Sequence, residues 1–360
     1  MARTITLTSG SVLNGDPITF LVQPNVITSI DSDKKVIYPS FHRVIFEVTC
    51  GISGGNFETI KMSSTVEEEK DTATVQIDIS SALRTFRDDY EYSPNVVTYP
   101  VVKFCVRVYD EYMLNGEVKT RVGEIVYPNE VDGKPQYLCT LFGSFSDFDR
   151  YASPSPIKGL IHLSRKPIST PQMVAVGESF AYTPSFATQE LLVTSASLVA
   201  PTSIVVTINQ QGLQTIGEQS IFALPAEEAK NRQMFRFINS FGVLESVSVP
   251  MVYSKKMSVT SASYAVSRQE TFNKFSRSTV RKTNNREAWL YFTDPLTPDW
   301  LLWYMHEFLM AEYIWMYVKA TWLPCTITPE EDTTIFDDTQ QAPYVVAFTA
   351  VLDINGSPLV

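Results

Sequence analysis

The residues that most often bind metals or act as nucleophiles are few in this sequence. The three histidines, His42, His162 and His306, lie far apart, and none has a second histidine at metal-site spacing. No two of the four cysteines form a Cys-x-x-Cys pair, so the sequence predicts no zinc site. We expect reduced, buried thiols, with Cys105 in an apolar strand, and a disulfide stays open as an alternative. We predict neither a metal nor a cofactor.

Motifs for enzymatic chemistry are incomplete. The glycines of residues 51–55 lack the Lys-Ser/Thr of a phosphate-binding loop. Residues 143–146 do not form a Gly-x-Ser-x-Gly nucleophile elbow, and His306-Glu307 is not His-Glu-x-x-His. Asp147 and Asp149 are typical of a solvated turn, although carboxylate pairs in glycosidases are defined by the fold and not by sequence spacing. We therefore predict a protein that is not an enzyme, with a glycosidase-like activity as an alternative.

Length and composition indicate a multi-domain protein that binds other proteins. The 360 residues exceed one ordinary domain and suit two or three. Charged residues make up 19% of the chain, below the usual quarter, which indicates surfaces covered by partners. The net charge of −10 disfavours a general nucleic-acid coat.

The alternation of apolar and polar residues between turns predicts a mainly β fold in three units. Residues 1–128 alternate as short strands between turns, which is typical of a β-sandwich. Asn115-Gly116 lies between two apolar runs and predicts a hairpin. A helical turn or two is compatible with residues 80–89.

Residues 129–252 form the predicted middle β-rich unit. The charge-free residues 191–198 and 203–209 predict two strands joined by a turn, in preference to a membrane span. Residues 233–238 and 243–249 predict a second hairpin. In its first strand, Phe235 and Phe237 share one face.

Residues 253–360 form the predicted C-terminal α+β unit with one aromatic-rich helix at 298–311. Thr297 is expected to cap this helix, Pro298 suits its first turn, and Asp299 favours its positive end. All five tryptophans fall within this unit, and we expect them to form a packed core or a subunit interface, with a carbohydrate platform as the alternative. They are Trp289, Trp300, Trp303, Trp315 and Trp322.

The same unit separates its charges along the sequence. Residues 254–286 hold eight basic residues and one acidic residue, Glu270, and an acidic stretch follows at 330–338. Contact with an acidic neighbour, contact with nucleic acid, and a solvated strand face all stay open. The candidate assembly contacts are Lys255, Lys256, Arg277, Arg281, Lys282, Arg286, Glu330, Glu331 and Asp332.

Several phrases resemble virion structural proteins of tailed phages that infect Bacteroidetes, especially tail and baseplate components. In the C-terminal unit these are Asp-Trp-Leu-Leu-Trp at 299–303, Trp-Leu-Pro-Cys-Thr-Ile at 322–327 and Val-Val-Ala-Phe at 345–348. Phe-Arg-Phe-Ile-Asn-Ser-Phe-Gly at 235–242 and Asn-Gly-Asp-Pro-Ile at 14–18 are similar to such proteins as well. The resemblance implies a structural role in a multi-copy assembly and carries over no catalytic residue.

The sequence as a whole predicts a non-enzymatic subunit of a phage tail, baseplate or neck. Its expected partners are other virion subunits and copies of itself, with nucleic acid not expected. The first residues lack the apolar region of a secretory signal, so we expect synthesis in the host cytoplasm, no membrane span and a final place in the virion. The alternative is a surface adhesin or glycan-binding protein built from β-sandwich domains.

Overall fold

The computed structural model describes most of the chain, and the prediction of a mainly β fold is confirmed. Among the residues that it describes, those in strands far outnumber those in helices. The described residues are 4–10, 13–67, 73–88, 90–95, 98–144, 163–168, 170–184, 202–217, 219–250, 254–271, 274–330 and 344–352.

The chain divides into two compact units, each built from segments that are separate in sequence. Unit 1 comprises Met1–Leu163, Pro184–Thr202 and Ser240–Val243, and unit 2 comprises Ser164–Thr183, Ser203–Asn239 and Leu244–Val360. These units do not follow the predicted segments 1–128, 129–252 and 253–360. The reason is that strands of the middle segment pair with strands of the C-terminal segment in one sheet.

The described part of unit 1 contains two larger antiparallel sheets, a two-stranded ribbon and one helix. The sheets have the orders β1-β2-β7 and β10-β8-β5-β6, with β9 also paired to β8, and the ribbon is β3-β4. The elements are β1 (Ile5–Gly10), β2 (Ile18–Val22), β3 (Ser29–Ile30), β4 (Val36–Ile37), β5 (Phe41–Ile52), β6 (Glu58–Thr65), β7 (Val75–Asp78), α1 (Ser80–Asp88), β8 (Val101–Leu114), β9 (Glu117–Tyr127) and β10 (Leu138–Leu141).

Alternating apolar residues build the core of unit 1. Val44, Phe46 and Val48 share one face of β5 and are fully buried, as period-two alternation requires. The ring of Phe20 in β2 contacts that of Tyr127 in β9 at 5.3 Å, which links the two sheets. The predicted hairpin is confirmed, because Asn115 and Gly116 connect β8 to β9 with positive φ angles of 52° and 81°, the geometry that an Asn-Gly turn favours.

Unit 2 is dominated by a seven-stranded sheet of order β17-β16-β20-β21-β22-β19-β18. Two smaller sheets, β11-β15-β14 and β12-β13, accompany it. The strands are β11 (Gln172–Ala175), β12 (Ser179–Tyr182), β13 (Ile204–Thr207), β14 (Gly212–Ile216), β15 (Gln219–Leu224), β16 (Arg232–Ile238), β17 (Leu244–Pro250), β18 (Ser254–Thr271), β19 (Lys274–Phe292), β20 (Ile314–Val318), β21 (Thr321–Pro329) and β22 (Ala347–Leu352).

A short helical segment covers one face of this sheet. Helix α2 (Pro298–Trp303) continues into a π-helical turn (Tyr304–Phe308), so the helical residues end before the predicted limit at 311. Thr297 precedes the helix as expected, and its carbonyl accepts a hydrogen bond from the Leu301 N–H at 2.9 Å. Its side chain makes no capping hydrogen bond, however, which corrects the expected role of the hydroxyl.

One predicted hairpin of unit 2 is confirmed, and another lies partly outside the described residues. β16 pairs with β17, as predicted for residues 233–238 and 243–249, and Phe235 and Phe237 lie in the core. Residues 191–198 lie outside the described residues. The strand predicted at 203–209 is β13, and its described partner is β12.

Candidate functional site

The most distinctive feature of unit 2 is the hairpin of β18 and β19, which we call the arm. The register pairs the two strands from Ser254 with Leu290 as far as Thr271 with Lys274. Only residues 288–292 of β19 also pair with a second strand, β22. Within the described chain, residues 274–287 have strand partners in β18 alone. At about 3.3 Å per residue, this two-stranded part is about 45 Å long.

The arm carries the basic candidate residues at defined register positions. Lys255 and Lys256 lie near its base, opposite Trp289 and Ala288, and Arg286 lies opposite Ser258. Arg277 pairs with Ser267, Arg281 with Ser263, and Lys282 with Ala262. The predicted basic segment is therefore one continuous ribbon, with its charges distributed along both strands.

Of the acidic candidates, the described residues include only Glu330. This residue follows β21, where its N–H donates to the Ala347 carbonyl at 3.0 Å. Its carboxylate accepts a hydrogen bond from the Thr349 hydroxyl. Glu331 and Asp332 lie outside the described residues, so the expected acidic loop stays a prediction.

Two of the five tryptophans belong to helix α2 and point together into the core of unit 2. Trp300 and Trp303 are buried in the core of unit 2, with ring centroids 5.2 Å apart. Trp303 also contacts Phe237 of β16 at 5.7 Å. Phe308 from the π-helical turn contacts Phe348 of β22 at 5.5 Å. These contacts make the helical aromatics part of the core and leave no open aromatic platform at these positions.

The other tryptophans occupy different places on the same sheet. Trp289 packs against the edge of the core. Trp315 of β20 and Trp322 of β21 lie on the face of the sheet that is opposite to the core. There the Arg236 guanidinium lies 4.3 Å from the Trp322 ring centroid, and burial lowers the Arg236 pKa to about 10. The five tryptophans thus do not form one cluster.

A buried ionic network joins β16, β17 and the loop after β19. Arg232 donates to both carboxylate oxygens of Asp294, at 3.1 and 2.5 Å, and to the Ser248 carbonyl at 2.7 Å. Burial acts to lower the Arg232 pKa, but the hydrogen bond and the charge of Asp294 raise it overall. Glu178 accepts from the Ser248 hydroxyl at 3.0 Å, and burial raises its pKa. The network fixes one end of the sheet.

A second buried group of charges lies beside Trp303. The Lys166 amine donates to the Ser246 carbonyl at 2.8 Å and lies 4.9 and 5.2 Å from the ring centroids of Phe180 and Trp303. Burial lowers the Lys166 pKa to about 8. Burial raises the pKa of the Glu245 carboxyl, and the charge of Lys166 acts in the opposite direction.

Two further residues complete this group. The Arg165 guanidinium donates to the Glu307 carboxylate at 2.5 Å, and Glu307 is buried. The side chain of Asn239 donates through Nδ2 to Glu245 Oε1 at 3.1 Å. The sequence interpretation did not identify this group. A usable signal was Glu245 itself, a carboxylate on the apolar face of the predicted strand 243–249.

Unit 1 has its own buried polar contacts at the centre of the five-stranded sheet. Glu47 accepts hydrogen bonds from Tyr109 at 3.0 Å and Arg121 at 3.2 Å and forms an ion pair with Lys61 at 2.9 Å. Burial acts to raise its pKa, but these partners lower it overall. His42 lies 3.4 Å from the Asp110 carboxylate and is buried. These groups connect strands and lie in no open cleft.

Metal-binding side chains, thiols and one recess are the remaining features of the described residues. No group of three or more metal-binding side chains occurs within them. All four cysteines are buried and lie outside any disulfide, and burial raises the pKa of Cys50 to about 12. A recess beside Tyr92, Tyr99 and Phe142 has about 190 Å³ of empty space, below the roughly 300 Å³ at which small-molecule pockets begin. His306 is exposed, and His162 with Asp147 and Asp149 lies outside the described residues.

Fold and site together define a mainly β protein with a long two-stranded arm rich in basic residues. Comparisons with protein-family models, with curated proteins and with solved structures find no match. Among the described residues, no helix has the length and apolar character needed to cross a membrane.

Proposed function

We propose that this protein is a non-enzymatic structural subunit of a phage virion, from the tail, baseplate or neck, and that it assembles in multiple copies. The observation that carries the proposal is the arm, whose residues 274–287 pair with β18 alone in the described chain. The resemblance of several sequence phrases to tail and baseplate proteins supports the virion setting.

The length of the arm favours a role in which a partner covers it. A two-stranded ribbon alone is at best marginally stable in water, and within the described residues no third strand pairs with residues 274–287. An unpaired strand edge also offers a row of N–H and C=O groups to another chain. A neighbouring subunit would satisfy both needs.

Charge identifies another copy of the chain as a suitable partner. Residues 254–286 carry eight basic side chains and one acidic side chain, whereas residues 287–360 carry eleven acidic side chains and one basic side chain, Lys319. Two of the eleven, Asp294 and Glu307, already pair with Arg232 and Arg165. Opposite charges on two surfaces steer association and select partners. The arm of one copy is therefore matched to the acid-rich C-terminal region of the next.

Sedimentation of the purified full-length chain tests self-assembly. We expect oligomers at low salt that dissociate near 1 M salt, where the Debye length falls to about 3 Å. A shortened-arm variant joins Ser261 to Thr283 through an Asn-Gly turn. These residues are register partners, so the base of the hairpin is kept. This variant should fold and stay monomeric.

Two triple charge-reversal variants distinguish a specific role of the arm from an effect of net charge. Replacing Arg277, Arg281 and Lys282 with Glu should abolish oligomers. The matched control replaces three exposed bases of unit 1, namely Lys34, Lys35 and Lys134, and should assemble like the wild type. Self-assembly is refuted if the wild-type chain is monomeric at low salt, and the role of the arm is refuted if both triple variants assemble equally.

DNA binding by the purified chain and the protein content of phage particles are the remaining tests. Anisotropy of a labelled DNA duplex should show no tight binding at physiological salt, whereas an arm that binds nucleic acid would give an affinity falling steeply with salt. Mass spectrometry of purified phage particles should detect the chain in a fixed ratio to the other structural subunits. Its absence from particles would contradict the virion assignment even if the purified chain self-assembles.

A further inference from the structure

We propose that the arm of one copy packs against the outward face of the seven-stranded sheet in the next copy. This receiving face consists of the alternate residues of β21, of β22 and of residues 288–292 in β19 that point away from the core. The inference rests on the proposed function, of which it names the surface that binds the arm.

The register places the residues of the receiving face in continuous rows across three strands. Thr326 of β21 lies opposite Val351 of β22, which lies opposite Ala288 of β19. The next row runs from Thr328 to Leu290 through the neighbouring outward residue of β22. The residues between these rows along each strand belong to the core of unit 2 or pack against it. Because side chains alternate along a strand, the rows lie on the opposite face of the sheet.

The receiving face is accessible and unusually apolar. Thr326 and Thr328 are exposed, Leu290 and Val351 are half-buried, and Phe292 is 36% exposed. An antiparallel sheet can turn one face to water, but that face is then polar. The polar residues of the receiving face are threonines, and its positions include no charged residue. This composition is suited to contact with another chain.

An acidic residue lies at one end of the receiving face. Glu330 directly follows β21 and is exposed. Its carboxylate accepts a hydrogen bond from the hydroxyl of Thr349, an outward residue of β22. Lys319 is the single base of residues 287–360 and lies in the turn before β21, at the other end of that strand. The charges therefore favour a basic partner at this face.

The arm has the charge and the shape that such a partner needs. Residues 254–286 carry eight basic side chains and one acidic side chain. The arm is a ribbon of two paired strands, and two β layers pack face to face at a spacing of about 10 Å. The contact would cover one face of a ribbon that is marginally stable alone, together with the apolar residues of the receiving face.

The connection between the arm and the sheet shows that the arm must come from another copy. β19 is one strand from Lys274 to Phe292, and its register with β18 has no shift between Ser254 and Gln269. A regular strand that forms the arm at one end and the receiving face at the other cannot fold the first over the second. Two arms are unsuited to each other, because both are basic.

Two variants with complementary defects test the contact by analytical ultracentrifugation at low salt. Thr326→Arg combined with Thr328→Arg places two bases on the receiving face and keeps the arm. The shortened-arm variant, in which Ser261 is joined to Thr283, keeps the receiving face. Each variant alone should be monomeric. An equimolar mixture should form a heterodimer, because one chain supplies the arm and the other supplies the face.

A matched control adds the same charge at exposed threonines of the smaller sheets. Thr207→Arg combined with Thr215→Arg changes one residue of β13 and one of β14. This variant should assemble like the wild type. Far-UV circular dichroism shows whether each variant is folded.

A second variant decides if the double arginine variant of the receiving face does not fold. Glu330→Lys changes an exposed residue and should weaken assembly by at least about tenfold, because a like charge would then meet the arm. Glu227→Lys, at another exposed carboxylate, is its control and should leave assembly unchanged. Equal assembly by the two lysine variants contradicts the inference.

The outcomes distinguish this inference from the proposed function. A folded receiving-face variant that assembles like the wild type overturns the inference, while self-assembly stands; pairing of two arms along their β18 edges would give that result. A mixture of the two complementary variants that stays monomeric also overturns it. A wild-type chain that is monomeric at low salt refutes the contact and self-assembly together. The virion role is tested separately, by detection of the chain in phage particles.

Discussion

Replacement of Trp303 by alanine measures how far the helical segment stabilises unit 2. Trp303 is 2% exposed, and its ring contacts those of Phe237, Trp300 and Tyr304 at 5.7, 5.2 and 5.1 Å. Because rings pack against Trp303 on three sides, the neighbouring side chains cannot all shift to fill the cavity that alanine would leave. We therefore expect a loss of about 3–5 kcal/mol in the free energy of unfolding, the range for large aromatic side chains in a core.

The contact with Lys166 places the expected loss in the upper part of this range. The Lys166 amine lies 5.2 Å from the Trp303 ring centroid, and a desolvated cation–π contact contributes up to about 2 kcal/mol. Trp303→Phe keeps an aromatic ring at this position, so it should be less destabilising than Trp303→Ala.

Urea unfolding followed by far-UV circular dichroism is the suitable assay, because removal of a tryptophan also changes the fluorescence signal. The matched control is Leu302→Ala on the same helix, where Leu302 is 43% exposed and a change within about 0.5 kcal/mol is expected. Hydrogen exchange of β16 and β22 amides shows whether the loss belongs to unit 2. If Trp303→Ala unfolds within about 1 kcal/mol of Leu302→Ala, the packing argument is wrong.

Three further predictions use the buried polar groups and the thiols. Asp294→Asn leaves Arg232 without its carboxylate partner and should cost about 3–5 kcal/mol in urea unfolding, and a neutral result would show that the pair adds no stability. Because the partners of Glu47 lower its pKa, its stabilising effect is complete above the ordinary value of 4.5 and is lost as pH falls through the folded-state pKa. Glu47→Gln should therefore be less stable than the wild type at neutral pH, with the difference shrinking in acid, and a constant difference across a pH series of melts contradicts this. Cys50, with its pKa raised to about 12, should react with a thiol reagent at pH 8 only after unfolding, and rapid labelling of the native chain would show that it is accessible.

Local patterns predicted the parts of the fold in which one face of a strand is apolar. Phe235 and Phe237 alternate with polar residues, and the structure buries both in the core. Asn115-Gly116 specified its own turn, because both residues tolerate the positive φ that the hairpin requires. In these cases the information lies within a few neighbouring residues.

Pairings between distant segments were not accessible in the same way. β13 pairs with β12, whose residues 179–182 lie more than 20 positions earlier in the sequence. The local partner predicted at 191–198 lies outside the described residues, and the pairing with β12 had no local signal, because consecutive strands are adjacent in most folds. The full extent of the arm was missed for a related reason, since a strand that is polar on both faces has no hydrophobic period to mark its ends.

The buried charges were the least predictable part of the candidate sites. Glu245 occupies an apolar face, but only the fold brings Lys166 and Asn239 to it. Arg165 and Lys166 lie in a segment without helical or strand periodicity, so their burial has no local signature. The identity of their partners depends on contacts across 142 residues of sequence for Arg165 and 80 for Lys166.

The division of the chain into interleaved units has a consequence for its synthesis on the ribosome. The polypeptide enters unit 2 at Ser164, returns to unit 1 at Pro184, and contributes Ser240–Val243 to unit 1 after most strands of that unit have been translated. A nascent chain that stops at residue 163 lacks the Ser240 carbonyl that accepts the N–H of Ser144 at 2.8 Å. Cotranslational folding of unit 1 can therefore finish only after residue 243 has left the exit tunnel.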